Sequence, residues 1–477
     1  MHTTKKIGLL LGPIIFFIIQ FLPITLVSEK GDAVIAVAFW MVIWWITETV
    51  NIAVTALLPL ILFPLLKVMP IADVGANYGS PIIFLFFGGF VLALALEKVN
   101  LHKRIALSII KLTGTTPNKV VLGFMLATAF MSMWISNTAS TVVMLPIAIS
   151  VIRLLIKDEG GLTKGDKNFA LSIMLGIAFS ANAGGIATVI GTPPNSVLIG
   201  LLENQYNIQI SFLTWMSFGL PFSLVMVAAV YIVLVKWMFP CKDIVFKASA
   251  NLISQEVKKL GEVSKEEKRV LLIFAIMVFL WITRTIINKI FPDLKLSDTV
   301  ISLIGAVSLF AIPMNLKKGN FILQWKDTEK LAWGILLLFG GGLALAKGMA
   351  SSGLVALITN TIASGNFNIL VTVSLLIILM LFMTELMSNV ALVAVLAPVV
   401  AGIAVGLNIP ILNLLIPVTM ASSCAFMLPM ATPPNAIVFA SGYVKVNEMV
   451  KAGIILNMIA VGLLILYYQF VIPLFFN

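Results

Sequence analysis

The sequence contains few charged residues, few cysteines and few histidines, and each shortage excludes a class of protein. Of its 477 residues, 11% are charged and 60% are hydrophobic, which leaves too little polar surface for a soluble protein of this size. Cys241 and Cys424 show neither a pairing pattern nor the spacing of metal ligands. His2 and His102 form no His-Glu-x-x-His motif. The sequence therefore predicts a protein that is not an enzyme and that carries no cofactor.

Apolar runs long enough to cross a membrane recur from one end of the chain to the other. Residues 7–27, 212–235 and 454–476 are examples, and each reaches the roughly 20 residues that span a bilayer as a helix. We therefore expect an all-α polytopic membrane protein with about eleven transmembrane helices. Two further segments, 120–155 and 369–407, are expected to turn back on themselves as re-entrant hairpins.

Positive charges are distributed unevenly between the two sides of this predicted topology. With the amino terminus in the cytoplasm, 25 of the 31 lysines and arginines fall on the cytoplasmic side, and Lys30, Lys67, Lys289 and Lys295 fall outside. Cytoplasmic loops of membrane proteins show this bias, so the net charge of +11 indicates orientation rather than an acidic partner. We expect a multi-pass protein of the plasma (inner) membrane whose carboxyl terminus lies outside. The two hairpins then enter from opposite sides, as an inverted repeat.

Two polar motifs occur twice in this apolar chain. Ser136-Asn137-Thr138-Ala139 returns 252 positions later as Ser388-Asn389-Val390-Ala391. Gly191-Thr192-Pro193-Pro194-Asn195 returns as Ala431-Thr432-Pro433-Pro434-Asn435, with 240 positions between the threonines. Polar, proline-broken segments duplicated in this way are typical of transporters built from two structural repeats. The alternative, that the motifs only cap kinked helices, does not explain why both motifs occur twice.

A helix broken at bilayer depth has a specific chemistry. The prolines cannot continue a helix, so each break leaves one helix end with free N–H groups and another with free carbonyl groups. The N–H end suits a carboxylate, and the carbonyl end with Ser, Thr and Asn side chains suits Na⁺. No lysine or arginine lies in the core of either motif, so neutral dipoles would hold an anion. Glu48 and Glu385 lie in apolar segments and are candidate functional acids. Their alternative role is a structural hydrogen bond or an ion pair with Lys347 or Arg284.

The motifs together resemble the divalent anion/sodium symporter family of dicarboxylate transporters. The resemblance covers nearly the whole chain and includes Trp45-Ile46-Thr47-Glu48, Thr55-Ala56-Leu57-Leu58-Pro59 and Thr384-Glu385. It implies secondary active transport of succinate, malate, fumarate or 2-oxoglutarate by a homodimer in the lipid bilayer, with no nucleic-acid partner. It also implies a mobile transport domain that moves as an elevator against a fixed scaffold.

The resemblance also implies particular residues and domains. The expected substrate-binding residues are Ser136, Asn137, Thr138, Thr192, Ser388, Asn389 and Thr432. The expected ion-binding residues, with Na⁺ as a coupling ion, are Ser132, Asn137, Thr384 and Asn389. The helix breaks lie at Pro193, Pro194, Asn195, Pro433, Pro434 and Asn435.

The implied domains follow the two repeats. They are scaffold helices of the first repeat (1–112), the first half of the transport domain (113–211), a span completing that repeat (212–239), a basic cytoplasmic loop (240–269), scaffold helices of the second repeat (270–360), the second half of the transport domain (361–443) and a last span (444–477).

Two departures from the family pattern affect the prediction of ion coupling. Val390 stands where the second motif usually has threonine, and Asn182 begins a segment that often reads Ser-Ile-Gly-Gly. Because both lie beside the expected ion and substrate positions, we favour sodium-independent anion exchange. Na⁺-coupled transport of a dicarboxylate or citrate is the alternative, as is transport of another anion such as sulfate. A channel with re-entrant loops is disfavoured, because two oppositely inserted motifs suit alternating access.

Overall fold

The protein is a bundle of helices in this computed structural model, which describes residues 3–21, 27–114, 116–155, 163–241, 258–315, 320–365 and 367–476. The helices of the first half are α1 (Thr3–Phe21), α2 (Glu29–Thr47), α3 (Ile52–Thr55), α4 (Leu58–Leu65), α5 (Ile71–Tyr78), α6 (Pro81–Lys98), α7 (Leu101–Thr113), α8 (Pro117–Ser132), α9 (Asn137–Leu155), α10 (Lys164–Gly185), α11 (Pro193–Tyr206) and α12 (Phe212–Tyr231). The helices of the second half are α13 (Lys265–Ile290), α14 (Asp298–Ala311), α15 (Trp333–Ser351), α16 (Leu354–Ala363), α17 (Ile369–Met383), α18 (Asn389–Gly406), α19 (Ile411–Ser422), α20 (Pro433–Ala440), α21 (Val446–Leu466) and α22 (Pro473–Phe476). The all-α fold class predicted from the sequence is confirmed.

Local sequence signals account for where several helices begin. The Thr163 side chain accepts a hydrogen bond from the N–H of Asp166, and the Asp166 side chain accepts one from the N–H of Thr163. Ser264 and Glu267 form the same reciprocal capping box at the start of α13. Proline occupies the first turn of α6, α8, α11 and α20, where its missing N–H costs no hydrogen bond.

Several expected spans are divided or extended in the structure. The segment 52–66 forms two short helices, α3 and α4, because Pro59, in the first turn of α4, has no N–H with which to continue the hydrogen bonds of α3. Residues 331–359 form α15 and part of α16, separated at Gly353, which has a positive φ of 86°. Residues 232–238 and 467–471 continue α12 and α21 as π-helical turns. Two short strands, β1 (Pro313–Asn315) and β2 (Asn320–Phe321), pair antiparallel in a loop. Most of the basic loop, residues 242–257, lies outside the described residues.

Contacts at the two ends of the bundle define two opposite faces. At one end Lys98 pairs with Asp327 at 2.6 Å, and Arg104 pairs with Glu267 at 2.7 Å; we call this end the basic face. At the other end Arg284 pairs with Asp298 at 3.2 Å. Seven helices within the described part of the chain are long and apolar enough to cross a membrane. The protein is therefore a multi-pass membrane protein with one strongly basic end.

The two halves insert their helix pairs from opposite ends. The pair α8–α9 follows α7, which lies on the basic face because Arg104 in α7 contacts Glu267. The pair α17–α18 follows α16, which begins where α15 has run from the basic face to the opposite end. There the Ser28 hydroxyl donates to the carbonyl oxygen of Ser352 at 3.1 Å. The repeats are therefore inverted with respect to each other.

The two repeats interlock in the centre of the bundle. Helix α10 is buried from Phe169 to Gly185 and packs against α8, α9, α12 and α20. Helix α18 packs against α11, α15, α16 and α19. Each helix pair therefore contacts the broken helix of its own repeat and the broken helix of the other. The rings of Phe179 and Phe426, one from each broken helix, meet edge to face at 5.3 Å.

Candidate functional site

The turn between α8 and α9 brings a hydroxyl, an amide and backbone carbonyl groups together. Ser132 Oγ lies 2.7 Å from the carbonyl oxygen of Ala181 and 2.5 Å from the Asn137 amide. When the Asn137 amide nitrogen faces inward, it donates to Ser132 Oγ, to Ala181 O at 3.2 Å and to Gly191 O at 3.3 Å. When Oδ1 faces inward instead, it meets only acceptors. A cation would stabilise that second orientation.

The turn between α17 and α18 repeats this arrangement in the second half of the chain. The Thr384 hydroxyl lies 2.7 Å from Asn389 Oδ1 and 2.6 Å from the carbonyl oxygen of Ser422. Thr384 and Asn389 stand at the positions equivalent to Ser132 and Asn137. Their surroundings are also equivalent. Ser422 is the last residue of α19, and Ala181 likewise lies near the end of α10. The candidate ion-binding residues predicted from the sequence are therefore brought together in two separate oxygen clusters.

The asparagine of each Thr-Pro-Pro-Asn motif fastens the irregular segment between two half-helices. Asn195 donates from its amide to the carbonyl oxygen of Thr188 at 2.8 Å, with Gly185 O and Ile186 O at 3.4 Å. Asn435 donates to Ala425 O at 3.2 Å and Leu428 O at 3.1 Å. These carbonyl groups have no partner within a helix because the helix has ended. The motif therefore satisfies a buried backbone break.

Asn182 joins the two breaks to each other. Its amide nitrogen lies 3.0 Å from Ala425 O, 3.1 Å from Thr432 Oγ1 and 3.3 Å from Asn435 Oδ1. All of these acceptors belong to the second repeat, whereas Asn182 belongs to the first. Asn182 therefore has a structural position between the repeats. The sequence indicated only that it departs from a family pattern.

Glu385 is buried beside the second oxygen cluster and is fully hydrogen bonded. Its Oε1 atom accepts from the N–H groups of Phe426 at 2.8 Å and Met427 at 3.0 Å and from the Asn457 amide at 2.8 Å. Its Oε2 atom accepts from the N–H of Leu428 at 3.1 Å. The suggested ion pairs with Lys347 or Arg284 are wrong, since Arg284 pairs with Asp298. Glu385 instead anchors the break of the second repeat.

The first repeat anchors its break differently. Met133 stands at the position equivalent to Glu385, and its carbonyl oxygen accepts from the Thr188 hydroxyl at 2.6 Å. Thr188 stands at the position equivalent to Leu428. In the first repeat, the Thr188 hydroxyl, on the break, donates to a backbone carbonyl group of the hairpin. In the second repeat, the Glu385 carboxylate, on the hairpin, accepts from backbone N–H groups of the break. The two sites are unequal in charge for this reason.

Glu48 does not lie at depth as the sequence suggested. It follows the last residue of α2, has a left-handed backbone with φ of 45°, and is exposed. Its neighbour Thr49 donates to the carbonyl oxygen of Lys5 at 3.3 Å, which places it near the start of α1. The apolar run around Glu48 was misleading because the helix ends one residue earlier.

A cavity of about 980 Å³ opens at the basic face and extends down to the first hairpin. Ser136 and Thr138 line it, together with α6, α7 and the segment Trp325–Lys330. Asn137 points away from it toward α10, and Thr192 and Thr432 are 3% and 4% exposed and do not line it. Ser388 and Asn389 also lie outside its lining. The structure thus places part of the predicted substrate set at the cavity and part behind it.

Two glycines, Gly191 of the repeated motif and Gly184, are required by this packing. A Cβ atom at Gly191 would lie 2.4 Å from Gly185 O and 3.0 Å from Ser132 O. A Cβ atom at Gly184 would lie 2.4 Å from Ala129 O. These distances are too short for any side chain. The glycines therefore let α8 approach the break in α10, and only the adjacent motif could have indicated them.

Within the described residues, no group of three or more His, Cys, Asp or Glu side chains could hold a metal ion. The candidate site consists instead of two clusters of neutral polar groups at helix ends, and the hairpin that carries the first cluster also lines the cavity at the basic face. This geometry is that of a membrane transporter with a broken-helix site.

Comparison with known proteins identifies the family. Residues 3–476 match the family described as the sodium:sulfate symporter transmembrane region, and the chain belongs to that family. The chain is 40% identical over 476 residues to the sodium-dependent dicarboxylate transporter SdcS of Staphylococcus saprophyticus, covering 98% of this chain and 92% of the relative. It is 38% identical to SdcS of Staphylococcus aureus strain USA300, again covering 98% and 92%. The YdaH transporter of Alcanivorax borkumensis shares the fold, with a TM-score of 0.56 at 14% identity, covering 84% of this chain and 88% of that one.

These relatives confirm the resemblance to divalent anion/sodium symporters, and they confirm that the protein is a transporter and not an enzyme. They do not support the preference for sodium-independent exchange, and the sodium-dependent alternative fits them better. In the structure, neither departure from the family pattern lies in an oxygen cluster. Asn182 bonds across the breaks rather than into an oxygen cluster, and the cluster around Thr384 uses Asn389 and Ser422 without residue 390.

Proposed function

We propose that the protein is a Na⁺-coupled transporter of dicarboxylate anions of the succinate, malate, fumarate and 2-oxoglutarate class. The single observation that carries the proposal is the pair of equivalent oxygen clusters, Ser132 with Asn137 and Thr384 with Asn389, at the two hairpin turns. The names of the relatives, which are sodium-dependent dicarboxylate transporters at about 40% identity, support the same substrate and ion.

The oxygen clusters suit Na⁺ as a transported ion. Hydroxyl, amide and carbonyl oxygens are hard ligands, which group I and II cations prefer. Several buried oxygens near the breaks have no hydrogen-bond partner among the described residues, namely Ser180 Oγ, Ser423 Oγ and Asn195 Oδ1. A buried polar atom without a partner is unfavourable, and a bound cation would give it one. Because the clusters lie under the hairpin turns, an ion there would order the turns.

The hairpin turns suit a carboxylate on their other side. Helix α9 begins at Asn137 and α18 begins at Asn389, so the first turn of each presents free N–H groups and a partial positive charge. Ser136 and Thr138 add hydroxyl groups at the cavity. Binding of the ions and binding of the substrate would then be coupled, because Asn137 and Asn389 would each lie between an ion cluster and the bound substrate. The dicarboxylate would bind Ser136, Asn137, Thr138, Ser388 and Asn389, with Thr192 and Thr432 supporting the turns.

We also propose the domain movement that the resemblance implies. The transport domain would contain the two hairpins and two broken helices (113–211 and 361–443), and the scaffold would contain α1 to α7 and α13 to α16. The two hairpins would be re-entrant, and the transport domain would slide as an elevator within a homodimer. The basic face would be cytoplasmic, which the positive-inside bias supports, so the described state is open to the cytoplasm.

Proteoliposomes test the proposed function directly. With an inward Na⁺ gradient, empty vesicles should accumulate labelled succinate, and replacing Na⁺ by choline should abolish uptake. Uptake without Na⁺ into vesicles loaded with unlabelled succinate would show exchange and would contradict the proposal. Competition by malate, fumarate and 2-oxoglutarate but not by sulfate is expected; strong competition by sulfate alone would indicate a different anion.

Removal of either hairpin amide provides a second test. Asn137→Ala and Asn389→Ala should each abolish Na⁺-driven uptake, because each amide belongs to both an ion cluster and a substrate turn. Asn204→Ala is a suitable control, since Asn204 bonds only to Ser80 at the opposite face. All three variants should elute as the parent does in detergent. Full activity of either hairpin variant would contradict the proposed site.

A further inference from the structure

The cavity on the basic face has one charged wall and one uncharged wall. The charged wall, which we call the lysine wall, consists of Glu97, Lys98, Lys103, Lys259, Asp327 and Lys330. The opposite wall is formed by α9 from Ala139 to Ile147, which contributes no charged residue. Among the described residues, the charged side chains of the lining belong to the proposed scaffold and, at Lys259, to the loop before α13, so no ion pair in the lining joins this wall to the hairpin that holds the substrate turn.

The lysine wall has a surplus of positive charge. Lys98 and Asp327 form an ion pair at 2.6 Å, with side chains 38% and 25% exposed. Burial raises the pKa of Asp327, but hydrogen bonds from the Gln324 N–H and Lys98 outweigh it, and the net pKa lies below its ordinary value. His102 also lines the cavity, and burial lowers its pKa, so it is neutral at pH 7. Among the described residues that line the cavity, four lysines and two carboxylates stand on this wall.

The opposite face has the reverse balance at its own cavity beside the transport helices. That smaller cavity, of about 60 Å³, is lined by Glu203, Arg284 and Asp298. Two carboxylates and one arginine leave it with a surplus of negative charge. Among the described residues, the two cavity linings are therefore unequal in charge: the lining at the basic face has a positive surplus, and the lining at the opposite face has a negative one.

We propose that the lysine wall is an anion-collecting surface that raises the local concentration of dianions above the substrate turn at the basic face only. The proposal rests on the proposed transport of dicarboxylates. Charged cavity walls of one sign focus the field and raise the encounter rate of an oppositely charged ligand. The lysines are exposed, so they attract the anion without binding it tightly. They lower the KM for substrate that arrives from this face, and they leave the maximal rate and the KM from the other face unchanged.

Two matched pairs of lysines allow a controlled test. Lys103 and Lys111 are both exposed on α7, and Lys330 and Lys326 are both exposed on the segment Trp325–Lys330, but only Lys103 and Lys330 line the cavity. The double variant K103Q/K330Q removes two charges from the lysine wall. The double variant K111Q/K326Q removes the same number of charges from the same elements outside the cavity. K103Q alone keeps Lys330 beside Glu97, so it controls for a change in the surroundings of Glu97 in the double variant.

Uptake of labelled succinate should be measured in intact cells and in inverted membrane vesicles, which expose opposite faces. For K103Q/K330Q we expect the KM to rise about three- to tenfold in one of these preparations at low ionic strength, with the maximal rate unchanged. The rise should fall below about twofold when choline chloride brings the ionic strength to roughly 0.5 M, since the Debye length is then only a few ångströms. K103Q should show a smaller rise in the same preparation, and K111Q/K326Q should match the parent in both.

Three results would overturn the proposal: an equal rise in KM at both faces, no rise at either, or the same rise in K111Q/K326Q. Failure of dicarboxylate transport itself gives a different result, because the parent protein would then take up no succinate in either preparation. Exchange in place of Na⁺ coupling would be seen in the proteoliposome test.

Discussion

Ser132 and Thr384 occupy equivalent positions in the two repeats, yet one is serine and the other threonine. Each hydroxyl contacts the asparagine of its own hairpin and a carbonyl group at the end of a broken helix. The hydroxyl is the only chemical group that the two side chains share. The site therefore requires the hydroxyl oxygen at these two positions, and it does not require the methyl group of Thr384.

This comparison predicts the effects of three substitutions. Thr384→Val removes the hydroxyl oxygen while keeping the volume of the side chain, and should raise the Na⁺ concentration for half-maximal uptake about tenfold, which corresponds to one lost buried interaction. Thr384→Ser and Ser132→Thr keep the oxygen and should stay within about threefold of the parent. Sodium titration of succinate uptake measures all three. Equal Na⁺ dependence in Thr384→Val and the parent would remove Thr384 from the ion cluster.

Glu385 gives a prediction about stability. Glu385→Gln removes the negative charge of the carboxylate, whose oxygens accept from three backbone N–H groups and from the Asn457 amide. It should lower the free energy of unfolding by about 2 kcal/mol. Glu329→Gln, at an exposed position, should leave it unchanged. Thermal unfolding in detergent compares the two variants. An unchanged melting temperature for Glu385→Gln would show that the carboxylate does not anchor the break.

Among single residues, the sequence identified the hairpin serines, threonines and asparagines because each occurs twice at a constant offset. It could not identify the partners of Glu385 or the bridging position of Asn182. The partners of Glu385 lie at least 41 positions away in the chain, and those of Asn182 at least 243. A single sequence does not show which residues so far apart are in contact.

At the scale of elements, the broken helices determine how closely the hairpins approach. Helix α8 crosses the end of α10 at Gly184, and the segment that ends at Gly191 folds back against Gly185. The carbonyl groups freed by the break accept hydrogen bonds from the Asn195 amide, and the Thr188 hydroxyl accepts one from the N–H of Gly191. The break is therefore a packed structure with fixed geometry rather than a flexible interruption.

Substitution of Gly191 tests this close packing. Gly191→Ala places a methyl group against Gly185 O and Ser132 O, and should lower the free energy of unfolding by about 1–3 kcal/mol because backbone atoms must shift. Gly462→Ala is the control: no atom lies within 4 Å of its Cβ position, and alanine is the better helix former, so stability should rise by up to about 1 kcal/mol. A melting temperature of Gly191→Ala equal to that of the parent would contradict the packing described here.

At the scale of the whole molecule, the inverted arrangement brings each hairpin into contact with both broken helices. These shared contacts connect the two hairpins, which is what the proposed movement of the transport domain as one body needs. The basic face and the opposite face differ in charge, so the two ends of the transport path are electrostatically unequal.

The proposed orientation can be checked by cysteine labelling. In a variant with Cys241→Ser and Cys424→Ala, a cysteine at Lys111 should react with a membrane-impermeant maleimide only in inverted vesicles. A cysteine at Lys295 should react only in intact cells, because Lys295 lies in the loop between α13 and α14 at the opposite face. The reverse pattern would place the basic face outside.

The sequence by itself determined the membrane class, the all-α fold, the duplicated motifs and the uneven distribution of positive charge. These properties follow from composition, from the length of apolar runs and from repetition, all of which are readable along one chain. Only the tertiary structure decided which oxygens form each cluster, that Glu385 anchors a break instead of joining an ion pair, and that the lysines near 98–103, 259 and 330 share one cavity wall. Those facts depend on contacts between residues far apart in the chain, which packing of the two inverted repeats creates.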